Sequence, residues 1–180
     1  MKNAIATIVA LLFTVGFAVC AEVGTNSSAD QATAPKSYQI RNVKYGDLLR
    51  PEDANSANGT RIVLYPAQPW KCMTWKLFPA GAETFQLRNH FTSKTFAAGS
   101  TNQVAAPVVQ VPFAKEAGAR PAWRFVKLSD GTYEIANAKS GQALTAVKEG
   151  GTAKIVMEPW SEKPEQKWEL IGIDPAQLTM

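Results

Sequence analysis

The stretch Tyr133-Glu134-Ile135-Ala136-Asn137-Ala138-Lys139-Ser140-Gly141-Gln142-Ala143-Leu144 reads as a strand, a tight turn and a second strand. Tyr133 and Ile135 alternate with Glu134 and Ala136, the period of two that places one set of side chains on a core face. Asn137 ends the strand, because its short amide bonds to its own backbone in a turn, and Gly141 relaxes the chain before Leu144 returns it to the core. The same order of aromatic, polar, aliphatic, any residue and Asn opens at Tyr38-Gln39-Ile40-Arg41-Asn42 and at Phe85-Gln86-Leu87-Arg88-Asn89, a spacing of 47 and then 48 residues. Gly46 and Ser93 stand in the place of Gly141, and Leu49 and Phe96 in that of Leu144.

Each unit then continues in register. A third strand follows a Gly- or Pro-bearing loop at Arg61–Tyr65, Val108–Val111 and Lys154–Met157. A fourth carries a tryptophan, at Thr74–Leu77 with Trp75, Ala122–Val126 with Trp123 and Lys167–Ile171 with Trp168. No segment of the inferred mature chain shows helical periodicity. Four short strands cannot bury a face alone, so three such units, at about 38–80, 85–128 and 133–173, must close around a common axis.

With these markers the chain resembles the ricin B-type (QxW) β-trefoil lectin-like family. The family's opening strand and Ser-Gly turn match Tyr133–Leu144, and its closing Gln-x-Trp matches Gln166-Lys167-Trp168. The first unit closes instead on Met73-Thr74-Trp75 and the second on Pro121-Ala122-Trp123. The resemblance covers residues 38–173 and implies an all-β fold, a β-trefoil of three four-stranded repeats. It also implies a lectin-like function, the binding of cell-surface or polysaccharide glycans without catalysis.

Family sites hold sugar with an acidic residue after the core Leu, a ring at the end of the third strand and an amide before the Gln-x-Trp. By position the acidic slot falls on Arg50, Ala97 and Thr145. The ring slot falls on Tyr65, near Phe113, and on Glu158 with Trp160 two residues on. The amide slot falls on Cys72, Arg120 and Glu165, so no unit keeps the complete set. A modified site is expected first in the first unit, at Asp47, Arg50, Asp53, Tyr65 and Trp70 with Glu52 beside them. The third unit ranks next, with Thr145, Glu158, Trp160, Glu165 and Gln166, and the second unit last.

Plainer roles compete with these. Trp75, Trp123 and Trp168 are expected in the core, because they sit at repeat positions. Trp70 and Trp160 each follow a proline outside that pattern, where covering a barrel end competes with stacking on a ligand. Asp47, Glu52 and Asp53 also suit solvated turns, and His90, after the turn Asn89, suits hydrogen bonding. With one His and few thiols most sets for nucleophilic or metal chemistry cannot be built, and no catalytic residue, metal or cofactor is assigned. Of carboxylate pairs, Asp47 with Asp53 or Glu158 with Glu165 are the ones the count leaves for glycosidase chemistry.

The chain's 180 residues, 46% of them hydrophobic and 19% charged, suit one domain with a real core. Met1-Lys2-Asn3 and the apolar run Ala4–Val19 read as a secretory signal over residues 1–21, cut after Ala21. Lipidation at Cys20 is the alternative. Residues 22–37, small and polar, read as a flexible leader, and residues 174–180 as a C-terminal tail. The product is expected outside the cell, or in the periplasm of a bacterium, with no transmembrane segment in the mature chain. Asn26-Ser27-Ser28 and Asn58-Gly59-Thr60 fit the glycosylation pattern, and Asn58-Gly59 equally forms a turn. Cys72 becomes the sole thiol and is expected buried. The net charge of +4 is spread along the chain, which argues against nucleic acid as a partner. Glycans or glycoproteins are the expected partners. The rival is a protein-binding trefoil, a protease inhibitor or toxin-delivery subunit, acting through the second-unit loop Ala97–Arg120 with Pro107, Pro112 and Gly118.

Overall fold

The computed structural model describes residues 37–99, 105–114, 121–148 and 150–179. The signal segment and its cut after Ala21, Cys20, the Asn26 sequon, most of the leader, Arg120 and parts of the loop Ala97–Arg120 lie outside the described residues.

Among the described residues twelve strands occupy the three units. They are β1 Ser37–Asn42, β2 Leu48–Pro51, β3 Ile62–Tyr65 and β4 Thr74–Gly81, then β5 Thr84–Asn89, β6 Thr95–Ala98, β7 Ala106–Val111 and β8 Trp123–Lys127. The third unit supplies β9 Tyr133–Asn137, β10 Ala143–Val147, β11 Lys154–Glu158 and β12 Lys167–Gly172. The first and fourth strands of each unit form a closed antiparallel ring: β1 pairs β4, β4 pairs β5, β5 pairs β8, β8 pairs β9, β9 pairs β12 and β12 returns to β1. Closure leaves the ring without a free edge. The second and third strands make three hairpins, β2–β3, β6–β7 and β10–β11, which meet through β3–β11 and β7–β11. This is a β-trefoil.

The turn asparagines explain why each unit bends where it does. Asn42 Oδ1 accepts from the backbone N–H groups of Lys44 and Tyr45, Asn89 from those of Phe91 and Thr92, and Asn137 from those of Lys139 and Ser140. The chain then turns through a left-handed residue at Gly46, Ser93 or Gly141, with φ of 72°, 58° and 71°. Each of these donates its N–H to the carbonyl of the asparagine. The amides also tie units together: Asn42 Nδ2 donates to the Glu165 carbonyl at 3.0 Å, and Asn89 Nδ2 to the Cys72 carbonyl at 2.8 Å.

The core gathers the repeat positions. Ile40, Leu87 and Ile135, then Leu49, Phe96 and Leu144, then Trp75, Trp123 and Trp168 are all fully buried in one cluster. Phe96 bridges two of the tryptophans, with ring centroids 5.0 Å from Trp75 and 4.9 Å from Trp123. Each large side chain so buried stabilises the fold by roughly 1.5–3 kcal/mol. The indoles differ in one respect. Trp75 Nε1 donates to the Leu49 carbonyl and Trp168 Nε1 to that of Leu144, both at 3.0 Å. Trp123 Nε1 is buried without an acceptor among the described residues.

At both ends of the trefoil the chain makes contacts beyond the repeats. Ser37, read as the end of the leader, opens β1: it pairs with Lys76, and its hydroxyl meets His90 Nε2 at 2.9 Å. The C-terminal residues do not trail away. Asp174 caps a 3₁₀ turn at Pro175–Gln177, and Thr179 bridges to Trp70, giving its N–H to the Pro69 carbonyl and accepting from Lys71. The last turn straps the loop that carries Trp70, a pairing over 109 residues that local pattern does not encode. Gln39 departs too from its expected outward place, because the loop before Trp70 folds over it and Gln68 accepts from its amide.

Candidate functional site

The first unit builds a hollow of 130 Å³ beside its β2–β3 hairpin, lined by Arg50, Ala54, Trp70, Cys72 and Phe91. Arg50 comes from β2, one residue past the core Leu49, so strand alternation turns it away from the barrel interior. Tyr65 ends β3, and its ring lies beneath the Arg50 guanidinium, 3.8 Å from carbon to centroid. Trp70 follows Pro69 and opens the 3₁₀ turn Lys71–Met73; its ring sits 5.9 Å from that of Tyr65, tilted by 32°. Both rings pack their inner sides on a small cluster of Leu48, Cys72 and Met73, which holds them in place and leaves them half-buried.

Arg50 is 8% exposed. Its Nη2 lies 3.9 Å from Asp53 Oδ1, an ion-pair distance longer than a hydrogen bond, and Nε has no partner among the described residues. Asp53 stands in a short turn, Glu52–Ala54, where Asp53 and Ala54 take φ of 52° and 53°. Such strain in consecutive non-glycine residues persists only where the surroundings enforce it. Cys72 is buried, as its apolar context predicts, and burial pushes its thiol up against the pull of the neighbouring Arg50.

Not every first-unit candidate reaches this place. Asp47 lies in the β1–β2 turn, where its carbonyl accepts from Asn42, and it is not among the residues lining the hollow. Glu52 pairs with Arg61 at 3.2 Å. Phe91, which the sequence reading did not select, comes from the second unit's Asn89 turn and is 49% exposed at the hollow's edge. Its signal was present: Lys44 and Lys139 occupy the matching turn positions, and an aromatic among lysines at a turn tip is out of pattern.

The third unit is arranged differently. Thr145 and Gln166 are both buried, and Gln166 Nε2 donates to Thr145 Oγ1 and to the Pro159 carbonyl. Gln166 Oε1 accepts from the Ser161 N–H and hydroxyl, so this amide pins the loop that carries Trp160. Glu165 faces Lys44 at 3.8 Å, while Glu158 and Trp160 stay half-buried at the end of β11 and just beyond. Thr145 and Gln166 thus meet, but their polar groups are engaged in structure. In the second unit Phe113 packs on Phe78, and Gln110 is taken up by Thr92, Asn55 and Ala57. Among the described residues no three of His, Cys, Asp and Glu converge as a metal site would require. Nor is any described helix long and apolar enough to cross a membrane.

A six-stranded ring closed by three hairpins, with aromatic rings and hydrogen-bonding groups drawn to the edge of a unit, defines a lectin-like trefoil. The chain belongs to the ricin-type beta-trefoil lectin domain-like family, whose model matches residues 22–111 and 120–179. No curated protein matches the sequence significantly. Among solved structures the fold is similar to ThreeFoil, a designed threefold-symmetric protein, at 23% identity and TM-score 0.70, covering 76% of this chain and 99% of that one. It is similar to the Rhizoctonia solani agglutinin, at 20% identity and TM-score 0.67, covering 79% and 98%. It is also similar to an earthworm lectin C-terminal domain mutant in complex with 6′-sialyllactose, at 20% identity and TM-score 0.58, covering 77% and 100%.

Proposed function

We propose that this protein is an exported carbohydrate-binding module that holds glycans of cell surfaces or polysaccharides at shallow aromatic sites, chiefly that of the first unit. The observation that carries this is the Trp70 ring lining a hollow with Arg50, while Tyr65, 5.9 Å from that ring and beneath the guanidinium, holds both in place. Aromatic faces stack on the C–H side of a sugar ring, and a fork of donors fixes the orientation of its oxygens. The volume of 130 Å³ is below the roughly 300–1,000 Å³ of pockets that enclose a whole ligand, so one sugar is gripped at an edge and single-site affinity is weak. Family membership and the earthworm lectin's sialyllactose complex support the reading.

The test is a glycan array probed with the protein displayed multivalently, so that avidity raises weak sites into view. A reproducible preference among related glycans, lost in Tyr65→Ala and Trp70→Ala variants that keep the wild-type circular dichroism, is the expected result. A blank array from folded protein, together with a stoichiometric protein partner in a pull-down, would replace it with protein recognition.

A further inference from the structure

We propose that the first-unit hollow selects saccharides carrying an anionic group, a carboxylate or a sulfate, and that Arg50 is the residue that reads the charge. The inference rests on the carbohydrate-binding reading above and specifies its ligand class.

Arg50 stands where the family resemblance implies a carboxylate, and the exchange inverts what the site offers. A carboxylate accepts hydrogen bonds from sugar hydroxyls; a guanidinium only donates. The lining side chains of Arg50, Ala54, Trp70, Cys72 and Phe91 include no carboxylate and no amide. A neutral sugar, whose hydroxyls must also donate, therefore finds no strong acceptor among them.

The charge balance points the same way. The Arg50 side chain is 10% exposed, yet its one ionic partner among the described residues, Asp53, stands 3.9 Å away with a side chain 91% exposed. Nε is buried and unpartnered among the described residues. The Tyr65 face offsets part of the charge, and the neighbouring Cys72 thiol, pushed up by burial, is at most a weak acceptor for the guanidinium. A buried cation so weakly compensated is costly, and an arriving anion removes that cost. Two oxygens on one carbon or sulfur match the spacing of the guanidinium fork, and partial desolvation strengthens the pair relative to water. Trp70 and Phe91 remain free to cover the ring that bears the anion.

A second basic hollow, lined by Lys76, Arg88 and His90 among others, provides the control for non-specific attraction of anions. The experiment is calorimetric titration of the protein, expressed from its full-length sequence, with matched oligosaccharide pairs. Tri-galacturonate is set against its carboxyl-reduced form, and a heparin-derived tetrasaccharide against its desulfated form, so the two arms separate carboxylate from sulfate. The acidic member of at least one pair is expected to bind about tenfold more tightly or better. Arg50→Gln should erase that preference in protein that keeps the wild-type circular dichroism, and Arg88→Gln should keep it. Equal binding of both members, with dependence on Tyr65 and Trp70, would overturn the anion inference and leave the carbohydrate reading standing. Binding of no saccharide in either arm would overturn both. A preference that survives Arg50→Gln and vanishes in Arg88→Gln would also overturn it. The wild-type comparison needs no variant, so the outcome does not depend on Arg50→Gln folding.

Discussion

Asn89 joins the fold to the site, and its removal tests both. It is 1% exposed. Its Oδ1 accepts from Phe91 and Thr92 at 3.0 Å each, and its Nδ2 donates to the Cys72 carbonyl at 2.8 Å. In Asn89→Ala all three bonds go. The two N–H groups lie at a turn that water reaches, so each costs about 0.5 kcal/mol. The Cys72 carbonyl belongs to a buried residue, and leaving it unpaired costs about 1–3 kcal/mol. The expected loss is about 2–4 kcal/mol, measured as a lower urea midpoint at unchanged slope. Asn89→Asp keeps the turn acceptor but sets an oxygen against the Cys72 carbonyl, so it should lose about 1–3 kcal/mol, isolating the bond between units. Cys72 and Phe91 both line the first-unit hollow, so either variant should weaken ligand binding there under conditions where it remains folded. An Asn89→Asp protein as stable as wild type would refute the account of the turn asparagine as a tie between units.

Other outcomes follow from single features. Ser93 holds φ of 58° where the other units have glycine, so Ser93→Gly should raise stability by about 0.5–1 kcal/mol in the same urea assay. Trp123 Nε1 has no described acceptor, so Trp123→Phe should cost about 1 kcal/mol less than Trp75→Phe or Trp168→Phe, as compared by thermal melts. Ending the chain at Ile173 removes the strap on the Trp70 loop; tryptophan fluorescence should shift to longer wavelength and glycan binding should fall, while the far-ultraviolet circular dichroism stays. Partial burial, then the charges of Lys76, Arg88 and Lys71, lower the His90 pKa below its ordinary value. A group with a depressed pKa in the folded state contributes stability above its unfolded value and loses it as pH falls through the folded one. Acidification from about pH 7 to about pH 5 should therefore lower the melting temperature more in wild type than in His90→Gln.

The fold was legible because its determinants are local and occur three times. Tyr38, Phe85 and Tyr133 start the same alternation, each asparagine bonds backbone groups two and three residues on, and each tryptophan closes its unit. Interactions within a few residues leave a pattern that self-comparison reveals. The site was legible only in part. Register placed Arg50 and Tyr65 together, and the proline-bearing loop added Trp70, but register alone left Asp47 in the same group and passed over Phe91, which lines the hollow.

The amino-acid sequence by itself determined three units of four strands, their turns and the core residues. Tertiary structure alone decided what lies around Arg50. Closing the ring brings Phe91 from the second unit to the first unit's hollow, and the last turn at Thr179 straps the Trp70 loop. Folding also leaves the Arg50 guanidinium buried with one distant carboxylate among the described residues, while Gln166 and Thr145 of the third unit are buried against each other. These arrangements join residues far apart in the chain, and their energy lies in burial and unpaired charge, which exist only once the chain has closed.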